Sequence, residues 1–140
     1  PFAPAVLAEQ ANKFFHIDCK SPYMLLVADV HKERLKALSF ESENLQGLDK
    51  LKASRSDIPS VTHVDNSARV QTVHHETNPK FHQLLTKYEK QTGYGVLINT
   101  SFNIRDEPIV CSPEDAYKCF MGTELDILII NNIVLLKEEQ

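Results

Sequence analysis

The chain has 140 residues, 42% of them hydrophobic and 24% charged, with seven Pro and only four Gly. That composition predicts a single domain over 1–140 with a core of its own, and it excludes collagen-like, low-complexity and wholly disordered readings. The formal charge is −4, from 15 Lys and Arg against 19 Asp and Glu, which counts against sequence-independent nucleic-acid binding, since phosphate neutralisation drives that affinity.

In chain order, residues 4–15 are expected to form a helix. Pro4 suits a first turn, and Val6, Leu7, Ala11 and Phe14 recur at helical spacing. Ser21-Pro22 punctuates. Tyr23 to Val30 is an apolar run of strand length, read as a strand covered on both faces. Residues 31–57 then change character: eleven of the 27 are charged, with both signs present. This stretch is expected to be a solvated insertion with a short helix near Leu45 to Lys52.

Two strand-like pieces follow, Val61 to Val64 and Arg69 to Val73, joined by turn residues at Asp65-Asn66-Ser67-Ala68. Asn78-Pro79 opens the clearest helix, with Phe81, Leu84, Leu85 and Tyr88 as its apolar face and Gly93 past its end. Tyr94 to Ile98 reads as a strand. Asn99-Thr100-Ser101-Phe102-Asn103 is a polar loop at its carboxyl end. Ser112-Pro113-Glu114-Asp115 is a helix start, with Ser as N-cap and acids in the first turn. Asp126 to Ile130 and Ile133 to Leu136 flank Asn131-Asn132 as a hairpin. The order predicts an α/β fold, a mixed sheet with packed helices.

Three Cys at no metal-like spacing (Cys19, Cys111, Cys119) point to a reducing, cytoplasmic setting, with the thiols as small buried hydrophobes. The most apolar stretch, Leu125 to Leu136, has nine aliphatics in twelve residues and is too short to span a bilayer. No signal peptide is visible, so no membrane association is expected. The chain begins with Pro rather than Met, which predicts either a processed chain or a piece of a longer protein.

Two constellations could carry chemistry. In the first, His63 and Asp65 are expected on one face of a strand, with Ser67 and Arg69 following. The nearby His74 and His75 raise metal binding, but no familiar ligand spacing is present and no metal site is expected. The second is Asn99, Thr100, Ser101, Asn103 and Arg105, gathered where an apolar strand ends. Ligands collect at the carboxyl ends of strands in α/β sheets, and Arg offers a rigid fork to phosphate. A polar turn held by its own side chains is the competing reading. Neither a Walker motif nor G-x-G-x-x-G is present, and Ser101 lacks a nucleophile elbow. The residues themselves therefore lead to a polar, Arg-containing anion site on a mixed sheet.

These stretches resemble the C-terminal domain of the O-carbamoyltransferases, the type found in nodulation-factor and in cephamycin or aminoglycoside antibiotic synthesis. The resemblance rests on Pro1-Phe2-Ala3-Pro4, Ser21-Pro22-Tyr23-Met24, Val61 to Asp65, Ala68 to Val73, Thr77-Asn78-Pro79, Leu97 to Asn103 and Glu107 to Val110, in family order. It implies a two-domain protein. An N-terminal transferase domain passes the carbamoyl group to a hydroxyl. The C-terminal, YrdC-like domain makes carbamoyl-adenylate from carbamoyl phosphate and ATP, with Mg²⁺. Ser101-Phe102-Asn103 matches the family's S-x-N, and Arg69 a phosphate-contacting arginine. The resemblance thus implies Arg69, Ser101 and Asn103 as catalytic residues, with His63, Asp65, Asn99, Thr100 and Arg105 as ligand-binding ones.

The family's K-x-R-E and a further arginine lie upstream of Pro1, so the isolated chain is expected to be inactive. Two family glycines are replaced: Asp-Gly-Thr-Ala-Arg reads Asp65-Asn66-Ser67-Ala68-Arg69, and Arg-Gly-Glu-Pro reads Arg105-Asp106-Glu107-Pro108. The competing function is a non-catalytic module that docks the N-terminal domain. RNA binding, suggested by tRNA-modifying relatives of the fold, is opposed by the acidic balance.

Overall fold

The structure is a computed structural model describing residues 2–140, without the side chains of Glu41 and Glu43. Pro1, the start of the Pro-Phe-Ala-Pro stretch, lies outside the described residues. The chain forms two compact units, one ending at Asn99 and the other spanning Thr100–Gln140.

The first unit is built on a mixed four-stranded sheet. Its strands are β1 (Ala3–Leu7), β2 (Leu26–Asp29), β3 (Ser67–Val73) and β4 (Val96–Asn99), in the spatial order β2-β3-β1-β4. β1 runs parallel to β3, with Ala5 opposite Gln71, and antiparallel to β4, with Ala3 opposite Asn99. β2 is antiparallel to β3, with Val27 opposite Arg69. The mixed α/β character matches the sequence reading.

Three elements differ from it. The expected helix over 4–15 is instead β1, a 3₁₀ turn over Ala8–Gln10 and one helical turn, α1 (Ala11–Phe14). All five β1 residues are buried, so the continuous apolar run belongs to a central strand with both faces covered. Pro4, without an N–H, is tolerated there because parallel pairing with β3 begins only at Ala5. The run at 23–30, expected to be covered on both faces, holds the edge strand β2 instead. Val27 is 61% exposed, and of the four β2 residues only Ala28 is buried. Val61 to Val64 is not a strand: Pro59–Val61 is a 3₁₀ turn, and His63 N donates to Ser67 O at 2.7 Å while Asn66 N donates to His63 O at 3.0 Å. That turn reverses the chain into β3.

One sheet face carries Val6, Ala68, Val70 and Val96, packed with Phe14, Phe15, Ala28 and Val30. The other carries Ala5, Leu7 and Val73, packed under Leu85 and Phe81 of α3 (Pro79–Thr92). α3 has the predicted caps. Asn78 Oδ1 accepts from Phe81 N, and Gly93 ends the helix at φ 82°, the left-handed geometry glycine adopts without steric cost. Residues 31–57 are mostly exposed and include α2 (Phe40–Glu43) and a 3₁₀ stretch over Gly47–Lys52. Arg34 anchors their base, pairing with Asp57 at 2.8 Å and lying 4.4 Å over the Phe14 ring.

The second unit pairs α4 (Pro113–Met121) with the hairpin of β5 (Ile127–Ile130) and β6 (Ile133–Leu136). Ala116, Phe120 and Leu128 form its core, with Phe102, Val110, Ile130 and Leu135 around it. Ser112 and Asp115 make a reciprocal capping box. Lys137 Nζ donates to Phe120 O and to Thr123 O, closing the far end of the helix. Cys119 is buried as expected, but Cys19 and Cys111 are exposed, each in a segment outside the packed elements. Among the described residues no helix is long and apolar enough to cross a membrane.

Candidate functional site

Alternate residues of a strand share a face. Arg69, Gln71 and Val73 therefore share the α3 side of the sheet, with Ala3, Ala5 and Leu7 on β1 and Leu97 and Asn99 on β4. α3 covers the Leu7, Val73 and Leu97 end. Towards the other end the face carries Arg69, exposed, and the polar pair Gln71 and Asn99 above the small buried side chains of Ala3 and Ala5. The ion pairs of the described residues, Arg34–Asp57, Lys52–Asp49 and His82–Glu9, do not use Arg69.

Asn99 Nδ2 donates to Gln71 Oε1 at 2.5 Å, and Gln71 Nε2 donates to Pro22 O at 3.1 Å. Gln71 was not among the residues singled out from the sequence. The available signal was its place two residues after Arg69 in a strand, which puts both on one face. Gln71 also lines a pocket of about 400 Å³, with Lys20, Tyr23, His74, Glu76 and Asn78 among its other walls. Glu76 is held below the usual carboxylate range, first by its own backbone N–H and then by the nearby His74, His75 and Lys20.

His63 and Asp65 do not share a strand face as expected, because the turn before β3 holds them. Asp65 Oδ1 accepts from Ser67 N at 3.1 Å and from Ser67 Oγ at 2.7 Å. The Ser67 proton is thus committed to the carboxylate, so the 3.1 Å contact between His63 Nδ1 and Ser67 Oγ makes Nδ1–H the donor. These bonds hold the Asp65 carboxyl below its ordinary range, the Ser67 hydroxyl first and the Ser67 N–H second. The cluster fixes the start of β3 and with it the place of Arg69.

Thr100, Ser101, Asn103 and Arg105 lie in the loop that opens the second unit. Thr100, Ser101 and Arg105 are exposed. Asn103 Nδ2 donates to Ile104 O at 3.1 Å and to Glu107 O at 3.2 Å, so its amide braces the loop. Asp106, where the resemblance implies glycine, sits at φ 68°, and Asn66 sits at φ 66°. Among the described residues no cluster of three or more His, Cys, Asp or Glu could hold a metal ion.

The chain matches the family described as Carbamoyltransferase C-terminus over residues 1–137, and it belongs to that family. An uncharacterized protein of Synechocystis sp. is 59% identical over 140 residues, covering 100% of this chain and 23% of that protein. Nodulation protein NolNO of Sinorhizobium fredii is 37% identical over 140 residues, covering 98% of this chain and 18% of that protein. The 3'-hydroxymethylcephem-O-carbamoyltransferase of Amycolatopsis lactamdurans is 37% identical over 110 residues, covering 79% of this chain and 17% of that enzyme. The chain thus spans about a fifth of the length of these relatives.

Proposed function

We propose that this chain is the C-terminal part of an O-carbamoyltransferase, and that it helps activate the carbamoyl group before an N-terminal domain transfers it to a hydroxyl. The observation that carries this reading is Arg69, exposed and outside the described ion pairs, on the same sheet face as the Gln71–Asn99 pair.

The chemistry proposed is carbamoyl-adenylate formation. Carbamoyl phosphate loses its phosphate to water, leaving carbamate. A carbamate oxygen attacks the α-phosphorus of ATP, the bond to the β-phosphate oxygen breaks, and pyrophosphate departs. Both reactants are anions, so fixed cations must offset their repulsion. Arg69 supplies such a charge on the sheet face of the first unit, and Mg²⁺ enters with ATP as its counter-ion. In the second unit Arg105, Thr100 and Ser101 offer an exposed guanidinium and hydroxyls of their own to an anion, while both N–H groups of Asn103 are spent on Ile104 O and Glu107 O. His63 and Asp65 act through the turn before β3 as positioning residues for Arg69.

The test is pyrophosphate release from ATP, dependent on carbamoyl phosphate, in the full-length protein and in Arg69→Ala. Loss of one charge-stabilising donor is expected to lower the rate about 10²- to 10³-fold, with thermal stability retained because Arg69 is exposed. Equal rates in the two proteins would overturn the reading and leave a docking module.

A further inference from the structure

Side-chain amides present a donor end and an acceptor end, and the partners decide which end points where. Gln71 has one end against Pro22 O, a carbonyl that can only accept, so that end is Nε2. Its other end is then Oε1, which can only accept, so the Asn99 atom facing it at 2.5 Å is the donor Nδ2. One backbone carbonyl therefore fixes two side-chain amides in series. The groups left over are also fixed: Asn99 Oδ1 as an acceptor, and the second N–H of Gln71 Nε2 as a donor. The partly buried pair stands above Ala3 and Ala5, 4% and 0% exposed, so neither of these small side chains can compete for those bonds.

We infer that the Gln71–Asn99 pair is the specificity element that reads the amide of the carbamoyl group. This rests on the carbamoyl-activating function proposed above. A carbamoyl group carries an N–H donor and a C=O acceptor side by side, the complement of Asn99 Oδ1 and Gln71 Nε2–H. An acetyl group of nearly the same shape puts a methyl where Asn99 Oδ1 requires a donor. A site built to hydrogen-bond a substrate N–H rejects the analogue lacking it far more strongly than an apolar pocket rejects a change of size. Gln71 is thus a positioning residue that keeps the Asn99 amide from flipping, and it also donates to the ligand.

The experiment compares carbamoyl phosphate with acetyl phosphate as the acyl donor for pyrophosphate release by the full-length protein. Wild type is expected to favour carbamoyl phosphate by at least about 10²-fold in kcat/KM. Gln71→Met keeps the length of the side chain but frees Asn99. It is expected to cut that preference at least about tenfold, through KM for carbamoyl phosphate, with KM for ATP unchanged. Asn99→Asp, which cannot donate to Gln71 Oε1, is expected to do the same. Because preference is a ratio within one preparation, partial misfolding does not move it. Wild-type preference retained in both variants would overturn the inference. So would wild-type use of both phosphates alike, which leaves the carbamoyl-activating function standing. Release with neither phosphate would overturn that function and the inference together.

Discussion

Asn66 and Asp106 hold backbone conformations that L-residues adopt at a cost, φ 66° and 68°. Both stand where the family resemblance implies glycine. Asn and Asp enter the left-handed region more readily than other non-glycine residues, which explains why these replacements are tolerated. Asn66→Gly and Asp106→Gly are each expected to raise stability by about 0.5–1 kcal/mol, the relieved strain exceeding the entropy that glycine costs. Chemical denaturation reads this as a higher midpoint at unchanged slope. A lower midpoint would mean that the Asn66 or Asp106 side chain supports its turn more than its backbone strains it. At this scale the sequence was informative for Arg69, whose charge marks it, and for the two lost glycines. It was silent on Gln71, because a neutral amide becomes notable only once Pro22 O and Asn99 are seen to fix it.

Helices were legible where their ends carry their own chemistry. α3 begins at an Asn cap followed by Pro and ends at a left-handed glycine. α4 begins with the Ser112–Asp115 box. Such signals lie within a few residues of the element they define, so no tertiary knowledge is needed. Ser112→Ala removes the acceptor for Asp115 N and is expected to destabilise the second unit by about 1 kcal/mol, checked by hydrogen exchange of the α4 amides. No change in their protection would show that packing of Phe120 alone holds the helix. β1 was misread because Val6, Leu7, Ala11 and Phe14 fit a helical stripe, while what makes 3–7 a strand lies at 67–73 and 96–99. Strand preference depends on neighbours far more than helix preference does. β2 was misread for the complementary reason: an apolar run does not reveal whether its strand will lie at the centre of a sheet or at its edge.

The first unit is organised around a strand whose partners all come later in the chain. β1 needs β3 on one side and β4 on the other, and its register with them, Ala5 to Gln71 and Ala3 to Asn99, spans most of the unit. The sheet face that carries Arg69, Gln71 and Asn99 does not exist until β1 is inserted, since Ala3 and Ala5 form its floor.

That central placement has a consequence in time. During synthesis residues 3–7 are made before any of their partners, so the Ala-Pro-Ala-Val-Leu segment waits unpaired while some ninety residues follow it. Distant pairings of this kind slow folding and leave apolar segments open to wrong partners. The unit is expected to acquire its sheet only after residue 99 is free, and deleting residues 1–7 should abolish its cooperative unfolding transition rather than lower its midpoint. A synthetic peptide of residues 1–7, added to the shortened chain, should restore that transition, with a midpoint that rises with peptide concentration. A shortened chain that still melts cooperatively without the peptide would show that β3 and β4 can close upon each other, and that the segment is dispensable to the order in which this protein takes shape.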